Sequence, residues 1–394
     1  MKPSTKSTSS LSTLLGGSDP AAFLRDYWQK KPLLIRQAIP GFRGLVSTEQ
    51  LRSLAASEDI QSRLIVRDGK KWELQHGPFA KNFWRKLKPQ SPWTLLVQEL
   101  NFHLPAAEQL LERFHFIPHA RVDDIMVSHA CVGGGVGPHV DSYDVFLLQG
   151  PGRRRWRISG QQDLTLRTGL PLKILKSFKH EQEWILEPGD MLYLPPHYSH
   201  EGVAIDECFT YSIGFRAPSS QEWVAEFLSD FAERLEWPGH FKDPSLKFSD
   251  HPGELPQAMN QFLAKELKKL HFTSRLIADF NGRFLTNPKP HVFFNPPEKS
   301  INMLDFQQQA TQHGLRLDPR TRLMYSKEAA WCNGEPLETK HGVSPALIQL
   351  ADKRYIGPEQ LKLTLDKSVD SATKKQIWQW WLEWHEDGWL KIDV

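Results

Sequence analysis

The chain has 394 residues, 40% apolar and 24% charged, with a formal net charge of +3. That is the composition of an ordinary globular protein of two or three domains with an ample core, and the charge is too small to argue for nucleic-acid binding. Three cysteines, Cys131, Cys208 and Cys332, are too few and too far apart for a disulfide framework or a cysteine-based zinc motif, so a reducing cytoplasm is expected.

Residues 1–17 are Ser/Thr-rich and lack the apolar run of a signal peptide. They read as a mobile tail, with Leu11, Leu14 and Leu15 the residues able to dock. No stretch approaches eighteen apolar residues, so no membrane span is expected. Ser18, Asp19 and Pro20 mark a helix start ahead of Phe23, Leu24, Tyr27 and Trp28. The helix stops before Pro32, and Leu33–Ile35 reads as a short strand. Ser47 to Gln50 is a capping box. Asp68-Gly69 joins Arg63–Arg67 and Lys70–Leu74 in a hairpin. A helix is predicted over Thr94–Asn101, continuing after Pro105 to Phe114.

From Asp123 the pattern turns to strands. Ile125–Val132, His139–Gln149, Arg153–Ser159, Glu183–Leu186, Met191–Leu194 and Phe209–Phe215 are predicted, with Gly/Pro turns between them. Such a run argues for an antiparallel barrel or sandwich. The glycines at 133, 134, 135 and 137 lack the lysine and Ser/Thr of a phosphate loop.

After Pro218 another capping box, Ser219 to Glu222, opens a helix whose stripe holds Trp223, Phe227, Leu228, Phe231 and Leu235. A second helix is predicted from about Leu255 to Leu270, with Met259, Phe262, Leu263 and Leu267. Asn287–Pro297 is proline-rich and reads as a linker or edge. A small mixed domain follows. It has a strand at Arg320–Tyr325, a hairpin turn at Asn333-Gly334, helices at Ser344–Asp352, Pro358–Thr364 and Thr373–Asp387, and a last strand at Trp389–Ile392.

The chemistry centres on GGGVGPHVDSYDVFLLQGPGRRRWRI, residues 133–158. On a strand, His139 and Asp141 point to the same face. The best third ligand is His200 in PGDMLYLPPHYSHEG, with His197 the alternative. Two imidazoles and a carboxylate hold non-heme Fe(II) and leave positions open for substrate and oxygen. In Arg153–Ile158, Arg154 shares a face with Trp156 and Ile158, whereas Arg153, Arg155 and Arg157 share the other. The apolar face turns inward, and a buried guanidinium requires an anion. A ligand carboxylate satisfies it bidentately, which beside an iron site suggests 2-oxoglutarate. A structural ion pair is the alternative.

These segments, with YSIGFRAP and HEG, resemble the bacterial ribosomal oxygenases of the JmjC class. The resemblance is densest over Asp123 to Pro218. It extends loosely to FLRDYWQKKPLLI and HGPF, and to the last hundred residues only in general character. It implies an α+β chain: a cupin-like double-stranded β-helix (JmjC) barrel with flanking helices, a helical dimerisation segment and a C-terminal winged-helix-like domain. The expected domains are 18–217 (barrel core 121–217), 218–286 and 287–394. It implies an Fe(II)- and 2-oxoglutarate-dependent hydroxylase that uses O2 on an arginine of large-subunit ribosomal protein sixteen. It assigns the metal to His139, Asp141 and His200, and 2-oxoglutarate to Arg154 and Ser128. Asp124 and Tyr143 correspond to substrate-binding positions, with Ser212 a further candidate. Alternation turns Asp123 and Asp144 away from that pocket. A cytoplasmic homodimer is expected, without direct nucleic-acid binding. JmjC-type demethylation and a non-catalytic metal-binding cupin scaffold are the competing readings.

Overall fold

The structure is a computed structural model that describes residues 11–87, 90–216, 218–339, 342–366 and 370–393. It divides into two compact units, Met1–Ala217 and Pro218–Val394.

The first unit contains β1 (Leu33–Ile35), β2 (Ser62–Asp68), β3 (Lys71–His76), β4 (Trp93–Val97), β5 (Val122–Ala130), β6 (Asp144–Gln149), β7 (Arg154–Ser159), β8 (Gln182–Leu186), β9 (Met191–Leu194), β10 (Ser199–Ala204) and β11 (Cys208–Phe215). An eight-stranded sheet runs β1-β9-β6-β11-β5-β4-β2-β3, and a three-stranded sheet runs β10-β7-β8. Every pairing is antiparallel. Alternation explains how the two sheets close on each other. Val145, Leu147, Leu192 and Leu194 on the large sheet pack against Trp156, Ile158 and Leu186 on the small one. The other face of the large sheet carries Val127, Phe146, Leu148, Tyr193, Tyr211 and Ile213, which join Phe23, Leu51 and Leu110 from the flanking helices in the main core.

Buried carboxylates tie the flanking segments to the barrel. Asp144 accepts from the Tyr193 hydroxyl at 2.6 Å, Gln29 Nε2 at 2.9 Å and Arg121 Nη2 at 3.1 Å. Asp190, in the EPGD turn, accepts from Gln37 N at 2.9 Å and pairs with Arg36 at 2.6 Å. Asp19 and Ser47 cap their helices as expected.

Three expectations for this unit require correction. Residues 1–10 lie outside the described residues, but the remainder of the expected tail is anchored: Leu14 and Leu15 are completely buried in the main core. The helix predicted over Thr94–Asn101 is instead β4 followed by a short helix, Leu100–His103. Leu95 and Val97 enter the main core while β2 and β5 flank the strand on both sides. A strand buried on both faces is apolar without alternation, so its sequence does not separate it from a helix. The strand predicted over His139–Gln149 begins only at Asp144, and His139 forms an isolated bridge with His200.

The second unit begins with helix Ser220–Glu233, capped by Ser219 and Glu222. Helices Gln257–Leu267 and Ser274–Thr286 follow. Phe227 does not lie on an outward stripe. Its ring meets Phe231, Phe272 and Phe280 within the same chain at 5.1–6.3 Å. Helix Ser274–Thr286 was not anticipated, and it packs on the strand pair Ala330–Cys332 and Glu335–Leu337. Thr286 Oγ1 accepts from Gly334 N at 3.0 Å. The expected boundary at 286/287 therefore falls inside one packed body. Asn333 and Gly334 form the hairpin turn with φ of 47° and 91°. Trp378, Trp381, Trp384 and Phe306 centre the C-terminal core.

Leu14→Ala should cost about 2–5 kcal/mol, the usual effect of truncating a core leucine, when measured by urea unfolding. An unchanged midpoint would return this segment to the status of a tail.

Candidate active site

A cavity of about 550 Å³ opens into the barrel between the two sheets. His139, Asp141 and His200 lie on its wall, and their ligating atoms all fall within 4.8 Å of one another. The three residues reach it by different routes. His200 comes from β10, which sequence reasoning missed because Ser199–Ala204 reads SHEGVA and carries little strand signal. His139 comes from the loop after β5, paired to His200 through N–H···O bonds of 3.0 and 2.9 Å. The glycine run permits that approach: a Cβ at Gly135 would sit 2.5 Å from the Gly202 carbonyl. The Asp141 carbonyl accepts from His197 N at 2.8 Å.

The donor set fits a divalent metal. His139 Nδ1 lies 3.0 Å from the Gly137 carbonyl, and His200 Nδ1 lies 2.9 Å from the Tyr198 carbonyl. With each Nδ1 held as a donor, each Nε2 is left available to a metal. Those Nε2 atoms stand 3.9 and 3.6 Å from the Asp141 carboxylate. Burial, with the neighbouring His139, pushes His200 down to about 4, which keeps its ring neutral for ligation. His197 is exposed, has φ of 64° and stands outside the cluster.

Arg154 is 2% exposed, as its alternation with Trp156 and Ile158 implied. Its Nη1 donates to Ser128 Oγ at 3.0 Å and Thr210 Oγ1 at 3.3 Å, and its Nη2 donates to the Gly202 carbonyl at 3.3 Å. Its Nε is buried without a partner. Among the described residues no acid pairs with it. Its outward neighbours differ: Arg153 pairs with Asp206 at 2.7 Å and Arg157 with Glu183 at 2.6 Å. Burial lowers the Arg154 pKa from its ordinary value. Space for the guanidinium depends on Gly202, where a Cβ would lie 2.7 Å from Arg154 Nε and 2.8 Å from the Trp156 ring. A buried cation bonded only to hydroxyls and a carbonyl is a receptor for an anion.

Asp124, Tyr143 and Ser212 line the same cavity. Asp124, 7% exposed, also accepts from Glu99 N at 2.9 Å, so it shapes the wall as well. Ser212 stands opposite Met126 in the β5–β11 ladder. Asp144 turns away, as expected. Asp123 does not: it lines the cavity beside Asp124, where the β5–β11 register shifts between Ile213 and Phe215 and strict alternation is broken. Thr210 and Arg63 are further lining residues. Thr210 was legible as a neighbour of Ser212 two residues along one strand. Arg63 lies in a distant segment without a motif.

Residues 109–223 match the JmjC domain family, and residues 266–391 match the ROXA-like winged helix. The Escherichia coli (strain K12) protein named ribosomal protein uL16 3-hydroxylase is 34% identical over 335 residues, covering 84% of this chain and 87% of the relative. The chain belongs to the JmjC ribosomal oxygenases. The Haemophilus influenzae protein named probable ribosomal oxygenase is 37% identical over 405 residues, covering 95% and 96% of the two chains. The X-ray structure of E. coli YcfD is 29% identical with a TM-score of 0.81, covering 95% of this chain and 98% of that one. A second YcfD structure, described as a ribosomal oxygenase in complex with cobalt and 2-oxoglutarate, has a TM-score of 0.78, 29% identity and coverage of 96% and 99%. This ribosomal oxygenase is thus a 2-oxoglutarate-dependent dioxygenase with a cupin-like JmjC fold and a winged helix. Among its described residues no helix is long and apolar enough to cross a membrane.

Adding Co(II) should raise the melting temperature of the wild-type protein and of His197→Ala, because a ligand bound only by the folded state stabilises it. His139→Ala, Asp141→Ala and His200→Ala should lose that shift while keeping a cooperative transition. A full shift in any of these three would remove that residue from the ligand set.

Proposed function

We propose that this oxygenase hydroxylates a non-terminal carbon of an arginine side chain in large-subunit ribosomal protein uL16, using Fe(II), 2-oxoglutarate and O2. One observation carries the reading: a single cavity holds the His139/Asp141/His200 cluster and a buried Arg154 that no acid among the described residues neutralises. When bound, the iron and the keto acid supply the oxidation of an unactivated C–H bond, giving hydroxyarginine, succinate and CO2.

The chain's own residues bind and orient. His139, Asp141 and His200 hold the metal from one side, and the carbonyls of Gly137 and Tyr198 fix the two rings. Arg154 takes the far carboxylate of 2-oxoglutarate, with the hydroxyls of Ser128 and Thr210 beside it. Asp124 supplies an anion and Tyr143 a flat ring for the substrate guanidinium, which is planar, always charged and suited to bidentate pairing and stacking. Ser212 adds a hydroxyl on the adjoining strand. No general acid–base pair is required. The E. coli relative's name supports the substrate, and a ribosomal substrate supports a cytoplasmic setting.

The same proposal includes a homodimer through the helices after Pro218. In the monomer Val224 is 57% exposed, Leu228 48%, Leu263 57% and Leu267 55%. Apolar side chains grouped on two amphipathic helices mark an association surface. Phe227 and Phe231, occupied within their own chain, are not its contact residues.

Incubating the enzyme with a peptide spanning the arginine should add one oxygen, read by mass spectrometry, and the lysine variant should be a poor substrate. Lysine keeps the charge but lacks the planar fork that pairs bidentately with a carboxylate and stacks on a ring. Equal oxidation of both peptides would refute arginine recognition. Wild-type rates in Asp124→Ala would exclude Asp124 from it. For the dimer, Val224→Glu combined with Leu263→Glu should move the sedimentation profile to monomer. A wild-type monomer at micromolar concentration would dismiss the association.

A further inference from the structure

Arg63 occupies the cavity side of β2. It stands opposite Leu96 of β4, Leu96 opposite Ser128 of β5, and Ser128 opposite Thr210 of β11. The row that carries the hydroxyls beside Arg154 thus continues to a second arginine, with His76 of β3 beyond it. Arg63 and Ile65 line the cavity, whereas Leu64 lies in the main core.

The polar contacts of Arg63 are few. Its Nη2 lies 4.0 Å from Met126 Sδ, and its buried Nε has no hydrogen-bond partner. Among the described residues no acid pairs with it. Asp123 and Asp124 line the same cavity without doing so. An unmet donor on a charged side chain is costly. Here it carries a second cost, because a guanidinium in the wall repels the cationic side chain that the cavity is proposed to receive. Both costs are offset if the substrate brings an oxygen to Arg63. A peptide offers a main-chain carbonyl at each residue. A substrate carboxylate is the poorer match, since Asp123 and Asp124 oppose it.

We infer that Arg63 is a substrate-binding residue that donates to a main-chain carbonyl flanking the target arginine. The inference rests on the reading of this cavity as the site of an arginine peptide. In that arrangement the acids and Tyr143 select the side chain, while Arg63 sets the direction and register of the backbone. The peptide thereby presents one C–H to the metal side of the cavity.

The test compares wild type, Arg63→Gln and Arg63→Lys on a peptide spanning the arginine. The KM for peptide and the KM for 2-oxoglutarate are measured in one series, with melting temperature as the fold control. Loss of a hydrogen bond from a charged donor predicts a rise of roughly 10- to 100-fold in the peptide KM of Arg63→Gln. The 2-oxoglutarate KM should not move, and Arg63→Lys should recover part of the loss. A peptide whose acidic residues are changed to amides should keep its wild-type KM. If that change raises the wild-type KM and adds nothing in Arg63→Gln, the acceptor is a carboxylate and the carbonyl assignment is overturned. An unchanged peptide KM in Arg63→Gln overturns the role, as does a parallel rise of both KM values with a lowered melting temperature. A wild-type enzyme that leaves the peptide unoxidised overturns the arginine reading itself, and this inference with it, before any variant is compared.

Discussion

Arg154 is a guanidinium at 2% exposure, bonded to two hydroxyls and one carbonyl, with Nε left over. Removing a charge from water without a counter-charge is among the more expensive arrangements a fold tolerates. The barrel nonetheless surrounds it. Gly202 withholds a side chain so that Arg154 and Trp156 fit, and β5 and β11 place Ser128 and Thr210 against it. These groups supply partial compensation and leave net positive charge facing the cavity. A dicarboxylate would resolve the imbalance as proposed, with one end on the guanidinium and the keto-acid end left for the metal. On the proposed reading the cosubstrate is selected by an electrostatic deficit built into the wall of the cavity that also holds the His139/Asp141/His200 cluster.

Much of this centre was legible in the sequence, because strand alternation converts directly into direction. The run Arg153 to Ile158 separated one inward arginine from three outward ones, and the outward ones meet acids at the surface while, among the described residues, the inward one does not. His139, Asp141 and His200 were named from motif order, although His139 and Asp141 precede a strand and do not share one. Where alternation is absent, reading failed. The buried run Trp93–Val97 passed for a helix, and the weak strand Ser199–Ala204 went unseen. Asp123 sits where the β5–β11 register shifts, so the pleat does not dictate its direction. Arg63 belongs to a hairpin in a distant segment, and only the register through β4 and β5 brings it to the cavity.

The second unit shows a different limit of sequence reasoning. A hydrophobic stripe states that a helix face is covered, not what covers it. On Ser220–Glu233 the phenylalanines are covered by Phe272 and Phe280 of the same chain, whereas Val224 and Leu228 remain outside. Helix Ser274–Thr286 joins this segment to the winged helix by packing on its hairpin, so two regions that composition separates fold as one body.

On the proposed reading, Arg154 requires a carboxylate. The most direct measurement is the affinity of the metal-loaded wild-type enzyme for 2-oxoglutarate against its analogue with the far carboxylate converted to a carboxamide. Loss of a buried charged partner predicts binding of the amide weaker by roughly 30-fold or more. Equal affinities would contradict the account, since Arg154 would then not read the charge of the cosubstrate.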